Sequence, residues 1–153
     1  MSESIINELP LDYLAGFFDG EGCCGVLECF NKKTLYYKPY ISFSNTNVNL
    51  MKFIKLFLEK YGILMKYHEK KQTKHWKRSC SLTSWNITSA LNFCKLIKNK
   101  SFIKRKQLEL VEEYCESRNK INPRRRAWKR YSEREINIYK ELKSLNHRGV
   151  NNE

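Results

Sequence analysis

Leu14-Ala15-Gly16-Phe17-Phe18-Asp19-Gly20-Glu21-Gly22 is the stretch that decides the fold. Pro10 stands just ahead of it, where proline suits the first turn of a helix, and Leu11, Leu14 and Phe18 recur on one side at i, i+3 and i+7. The spacing predicts a helix over about residues 10–21 that leaves through Gly22 into a strand. Gly16 and Gly20 lie four apart on one helical face. Each costs a helix interior roughly 1 kcal/mol against alanine, a cost that makes sense where two backbones approach closely. Asp19 and Glu21 sit at the C-terminal end, where the helix dipole disfavours negative charge by a few tenths of a kcal/mol. A bound cation reverses that sign. The stretch therefore asks for a close helix pair with a metal ion at its end. The plainer alternative is an amphipathic helix closed by glycine, with two solvated acids.

Working outward, Cys23–Phe30 reads as a strand, Asn31–Thr34 as a turn and Leu35–Ser44 as a second strand. Leu35, Tyr37, Pro39, Ile41 and Phe43 share one face of it; Tyr36, Lys38, Tyr40, Ser42 and Ser44 share the other. Pro39 argues for an edge strand or a bulge. An amphipathic helix follows over about Asn47–Tyr61, then a second hairpin (Ile63–Lys70 and Trp76–Trp85), then helices at about Thr88–Lys98 and Phe102–Cys115. The order α-β-β-α-β-β-α-α describes an α+β fold with a single four-stranded antiparallel sheet. Ser132 and Glu135 form a capping box ahead of a last helix. Residues 1–118 read as a core, 119–131 as a basic connecting segment and 132–153 as a C-terminal helix and tail of the same domain.

The 153 residues carry a net charge of +13. No Lys or Arg occurs before Asn31, while Glu3, Glu8, Asp12, Asp19, Glu21 and Glu28 do, so a head of −6 leaves +19 on the remainder. That balance points to a polyanionic partner, and the acidic head to a metal. The first residues hold no basic, apolar leader pattern and no run long enough for a membrane span, so an intracellular protein without a membrane partner is expected. Six cysteines lack any C-x-x-C pair and read as small buried apolar residues in a reducing compartment. Abundant Lys, Asn and Ile (20, 14 and 11) suit an AT-rich genome, whether of an organelle (chloroplast or mitochondrion), a phage or a microbe.

Residues 14–22 resemble the signature of the LAGLIDADG homing endonucleases at all nine positions, with Phe17 and Phe18 for other apolar residues and Gly20-Glu21 for Ala-Asp. The resemblance continues through the element order to about residue 115, and a single motif resembles the homodimeric branch. It implies an αββαββα core with a saddle-shaped four-stranded sheet plus C-terminal helices. Two motif helices would pack at a dimer axis through Leu14, Gly16 and Gly20. Glu21 would ligate Mg²⁺ (or Mn²⁺) with the Gly20 carbonyl oxygen. The implied activity is a double-strand break in a long, near-palindromic DNA target by metal-dependent hydrolysis. Family members carry a water-orienting polar residue after the second strand, matched here by Asn47, which equally suits a helix N-cap. A nearby basic residue has no clean match, Lys52 being nearest. SFIKRKQLEL resembles the family's basic segment, making Lys106 the first choice for a lysine that stabilises the transition-state phosphate and Lys104 the second.

A two-stranded ribbon fits the major groove, and ten strand residues span roughly 30 Å, or about nine base pairs. Candidate readers are Lys38, Tyr40, Ser42 and Ser44 on the second strand, Lys66, His68 and Lys70 on the third, and Lys77, Ser79, Ser81 and Thr83 on the fourth. The outward face of the first strand stays open, because Glu28 alternates in phase with Val26 and Phe30. Arg124, Arg125 and Arg126 suit phosphate clamping, or a nuclear address. Trp76, Trp85 and Trp128 are expected in the core or at its rim. Two other readings stay open: an intron RNA maturase on the same fold, and a DNA-binding regulator without cleavage.

Overall fold

The structure, a computed structural model, describes residues 9–126 and 129–147. Glu3, Glu8, Trp128 and the tail beyond His147 therefore lie outside the described residues. In chain order the elements are α1 (Leu11–Glu21), β1 (Gly22–Asn31), β2 (Thr34–Asn45), α2 (Val48–Glu59), β3 (Lys66–Lys70), β4 (Ser79–Ser84), α3 (Ile87–Ile97), α4 (Arg105–Asn119) and α5 (Glu133–Leu145). The strands form one antiparallel sheet in the order β1-β2-β4-β3. This is the α+β architecture that the sequence predicts. Among the described residues no helix is long and apolar enough to cross a membrane.

One side of the sheet carries the core. Cys24, Val26, Pro39, Ile41, Phe43, Cys80 and Leu82 point into it, beneath Leu14, Ala15 and Phe18 of α1 and the apolar stripes of the other helices. Phe18 meets Phe43 and Phe93 edge to face, at centroid distances of 5.2 and 5.0 Å, the arrangement aromatic quadrupoles prefer. The chain passes from α1 into β1 directly under that ring. A Cβ at Gly22 would collide with it, which is why glycine closes the motif.

Pro39 sits on an interior strand, not an edge. β4 ends at Ser84 opposite Ile41, so at Pro39 the strand has a neighbour only on the β1 side. The missing N–H therefore interrupts no second ladder. β3 starts at Lys66 rather than Ile63, because Ile63 and Met65 are drawn into the core ahead of it. β4 starts at Ser79, so Lys77 belongs to the exposed connection and not to a strand. The delayed start of α4 has another cause, given below.

The basic segment is pinned to the core. Arg118, 2% exposed, pairs with Glu135 at 3.3 Å, donates to the Arg126 carbonyl at 2.7 Å and lies 4.4 Å from the Tyr131 ring centroid. The Tyr131 hydroxyl accepts from the Tyr37 amide at 2.9 Å, and the Tyr114 hydroxyl donates to the Tyr37 carbonyl at 3.0 Å. Ser132 and Glu135 form the expected capping box on α5. Removing one partner of a buried charge pair strands the other, so Arg118→Ala is expected to cost about 3–5 kcal/mol of stability. Urea unfolding at unchanged slope measures it; a loss below about 1 kcal/mol would show that the pair does not hold the segment.

Candidate active site and nucleic-acid interface

α1 has two working faces. Leu14, Ala15 and Phe18 are buried in the chain's own core, while Tyr13, Gly16 and Gly20 form an exposed stripe. A Cβ built on Gly16 or Gly20 meets nothing within 4 Å. The glycine face is thus open to solvent. Leu14 does not share it: wholly buried, it has no surface for a dimer contact. Its place in the stripe falls to Tyr13, 47% exposed.

The two acids of the motif have opposite fates. Asp19 turns inward to the segment between α3 and α4. Its carboxylate accepts from the Ser101 hydroxyl and from the amides of Phe102 (2.8 Å), Ile103 (3.3 Å) and Lys104 (3.3 Å). Wrapping around this carboxylate delays α4 to Arg105. Burial alone would push the Asp19 carboxyl up; the hydrogen bonds from Ser101 and the three amides outweigh it and hold the group below the ordinary carboxylate value. Lys104 answers in the other direction, donating to the carbonyls of Phe18 (3.1 Å) and Asp19 (2.8 Å). Glu21, the last residue of α1, is exposed, and its side chain has no hydrogen-bond or ion-pair partner among the described residues.

The lysine at the motif is therefore Lys104. Lys106 points from α4 toward α5, where its ammonium lies 3.7 Å from Glu141. Asn47 is the N-cap of α2, its side-chain oxygen accepting from the Leu50 amide at 3.0 Å. The cap uses one of the two acceptor sites on that oxygen. Among the described residues no three His, Cys, Asp or Glu side chains converge to hold a metal. At the end of α1 stands one free carboxylate, Glu21, beside the carbonyl of Gly20 in the last helical turn, where carbonyls lack intrahelical donors.

The sheet face turned away from the core begins at that carboxylate. Strand register sets the outward residues in rows: Asn31 with Thr34, Cys29 with Tyr36, Leu27 with Lys38, Gly25 with Tyr40, then Cys23-Ser42-Thr83-Lys66, Ser44-Ser81-His68 and Ser79-Lys70. Every strand reader proposed from sequence is on this face, Lys77 excepted, and the rows resolve β1: Glu28 is in phase with the core-facing residues. None of the outward strand residues is a carboxylate. Ser42 and Thr83 hydroxyls pair at 3.3 Å, and the Tyr40 hydroxyl meets the Cys23 thiol at 3.4 Å. Four cysteines are buried, as expected, but Cys23 and Cys29 are half-exposed on this face.

Trp76 departs from the expected core or rim position, whereas Trp85 keeps to the rim. Trp76 is 76% exposed in the connection before β4, and Trp85, 43% exposed, lies under the Lys38 ammonium at 4.7 Å. Arg124 and Arg125 are exposed. Arg126 is not a free clamp: it folds back onto the Ile121 carbonyl at 3.4 Å, and its Nε is buried without a partner.

The family model for LAGLIDADG endonucleases matches residues 14–116. The chain belongs to that family. Among curated proteins, an uncharacterized protein of Methanocaldococcus jannaschii is 42% identical over 57 residues, which are 37% of this chain and only 20% of that longer protein. Three solved structures share the LAGLIDADG fold at low identity. The archaeal intron-encoded homing endonuclease I-Vdi141I, solved with DNA, superposes at a TM-score of 0.67 with 17% identity over 94% of this chain and 87% of its own. I-CvuI, solved with a DNA target in the presence of magnesium, gives 0.59 at 16% identity over 90% and 94%. The meganuclease I-CpaMI, bound to uncleaved DNA, gives 0.65 at 18% identity over 95% of this chain but 46% of its own.

The Asp19 clamp makes a pH prediction. A depressed carboxyl contributes stability that is complete at neutral pH and is lost as pH falls through its folded value, below about 4. Wild type is expected to lose stability steeply there. Asp19→Asn, weaker at neutral pH, is expected to show a flatter acid limb in urea midpoints; parallel curves for the two proteins would remove Asp19 from the account.

Proposed function

We propose that this LAGLIDADG protein is a site-specific endonuclease that acts as a homodimer and makes a double-strand break in a long, near-palindromic DNA target. The observation that carries the reading is the exposed, unpartnered carboxylate of Glu21. It stands at the end of a helix with an open glycine face and at the head of a sheet face bearing Lys38, Lys66, His68 and Lys70 without an acid. The half-length match to I-CpaMI supports pairing of two copies. Target symmetry then follows protein symmetry.

A divalent ion, Mg²⁺ or Mn²⁺, would polarise the scissile phosphate and activate water at this position. Mg²⁺ takes hard oxygen donors and often only one or two carboxylates, leaving room for phosphate and water. One Glu21 per chain, with the Gly20 carbonyl oxygen, fits that sparse demand. Lys104 and Asp19 fix the direction of the helix end, and so of Glu21. Arg124 and Arg125 add phosphate contact, which raises affinity and salt sensitivity without base preference.

Glu21→Gln is expected to abolish Mg²⁺-dependent cutting of a target selected from a random library while gel-shift binding persists, as EDTA does to the wild type. Cutting at the wild-type rate would overturn the assignment. Gly16→Ala separates pairing from folding. In the single chain the added methyl meets open space and improves helix propensity by up to about 1 kcal/mol, so dilute protein is expected to be no less stable. At a close helix pair the same methyl overpacks, and about tenfold weaker dimerisation is expected. Sedimentation of wild type and variant decides between this and an unpaired face.

A further inference from the structure

We propose that Leu27 reads the 5-methyl group of thymine in the major groove, making each half-site prefer an A·T pair about six base pairs outward from the cut. This rests on the DNA-cleavage reading above and assigns part of its specificity. The outward row of β1 is Cys23, Gly25, Leu27, Cys29 and the terminal Asn31, and between Cys23 and Cys29 it has no amide, hydroxyl or charged group. The outward rows of β2, β3 and β4 carry hydroxyls, lysines and a histidine. Leu27 is the largest side chain of its row and 40% exposed. Its cross-strand neighbour Lys38 has its ammonium over Trp85.

An isolated leucine on a cationic, acid-free face can gain from a duplex only through apolar contact. In the major groove one base edge offers it, the C5-methyl of thymine. Cytosine lacks the methyl, and the purine edges present polar atoms that leucine leaves unsatisfied. The position follows from the strand. Leu27 lies six residues beyond Glu21; at about 3.3 Å per residue and 3.4 Å per base pair that is roughly six pairs. Burying one methyl changes affinity about fourfold per half-site, and roughly fifteenfold when both halves change.

The test begins with duplexes cleaved in Mg²⁺ from a randomised library, expected to be enriched in thymine at that position in both halves. Deoxyuridine there, which removes the methyl and nothing else, is expected to weaken wild-type binding about fourfold per half-site. Leu27→Ala is expected to bind both duplexes equally. Leu27→Gln is expected to move the preference to adenine, whose N6 and N7 suit an amide. Circular dichroism checks that both variants fold. Cutting without thymine enrichment, or deoxyuridine without effect on wild type, overturns this inference and leaves the endonuclease standing. No cutting of any duplex overturns both.

Discussion

The C-terminal turn of α1 is held by a reciprocal clamp. Asp19 gathers the amides of Phe102, Ile103 and Lys104, and Lys104 returns its ammonium to the carbonyls of Phe18 and Asp19. A helix C-terminus carries partial negative charge and unsatisfied carbonyls; the lysine answers both at once. The carboxylate answers the free amides leading into α4 in the same way. Two helix ends that would otherwise face water are thereby joined through one acid and one base. Glu21 follows two residues after Asp19, on another side of the helix, and is left with nothing to hold. One acid of the pair is consumed in fixing the direction of the other.

The same division of labour organises the charge. Of the described acids in the head, Asp12 pairs with Lys100 at 2.8 Å and Asp19 is clamped. Glu28 falls in phase with the core side of β1. Glu69, on the core-facing phase of β3, is held by Arg78 and by the Tyr67 hydroxyl at 3.1 Å. The outward face is cleared of negative charge apart from Glu21 at its head. A polyanion laid along the sheet meets lysine and hydroxyl rows and then a single carboxylate, the one place where an intervening cation would turn repulsion into attachment.

Much of this was legible in the sequence. Periodicity gave α1, the hairpins and the alternation of β2 because one face of each is buried, and the capping box on α5 is a local signal. The errors have physical causes. Leu14 and Gly16 are two residues apart, roughly 200° around a helix, so they could not share an interface; the apolar stripe and the glycine stripe are separate faces. Lys104 and Lys106 are alike in sequence, and only the turn around Asp19 separates them. Arg118 continues the buried stripe of Leu108, Val111 and Tyr114 by helical spacing, but a charge at that position reads as surface until Glu135 and Tyr131 are seen around it. Trp85 lies one residue past β4 in the outward phase of Ser79, Ser81 and Thr83, so the alternation of β4 itself carries it to the outer face beside Lys38.

The open glycine face is a feature that the chain's own fold does not explain. With Leu14 and Phe18 fully buried, α1 is anchored without any partner. Gly22 is required by the ring above it, whereas Gly16 and Gly20 have empty space where a side chain would stand. Folding of the single chain favours alanine at both by up to about 1 kcal/mol each. Two glycines kept four residues apart on the exposed side of a helix that ends in a free carboxylate are a cost to the monomer. They would become an advantage if, as proposed, a second backbone occupied that space and brought a second carboxylate with it.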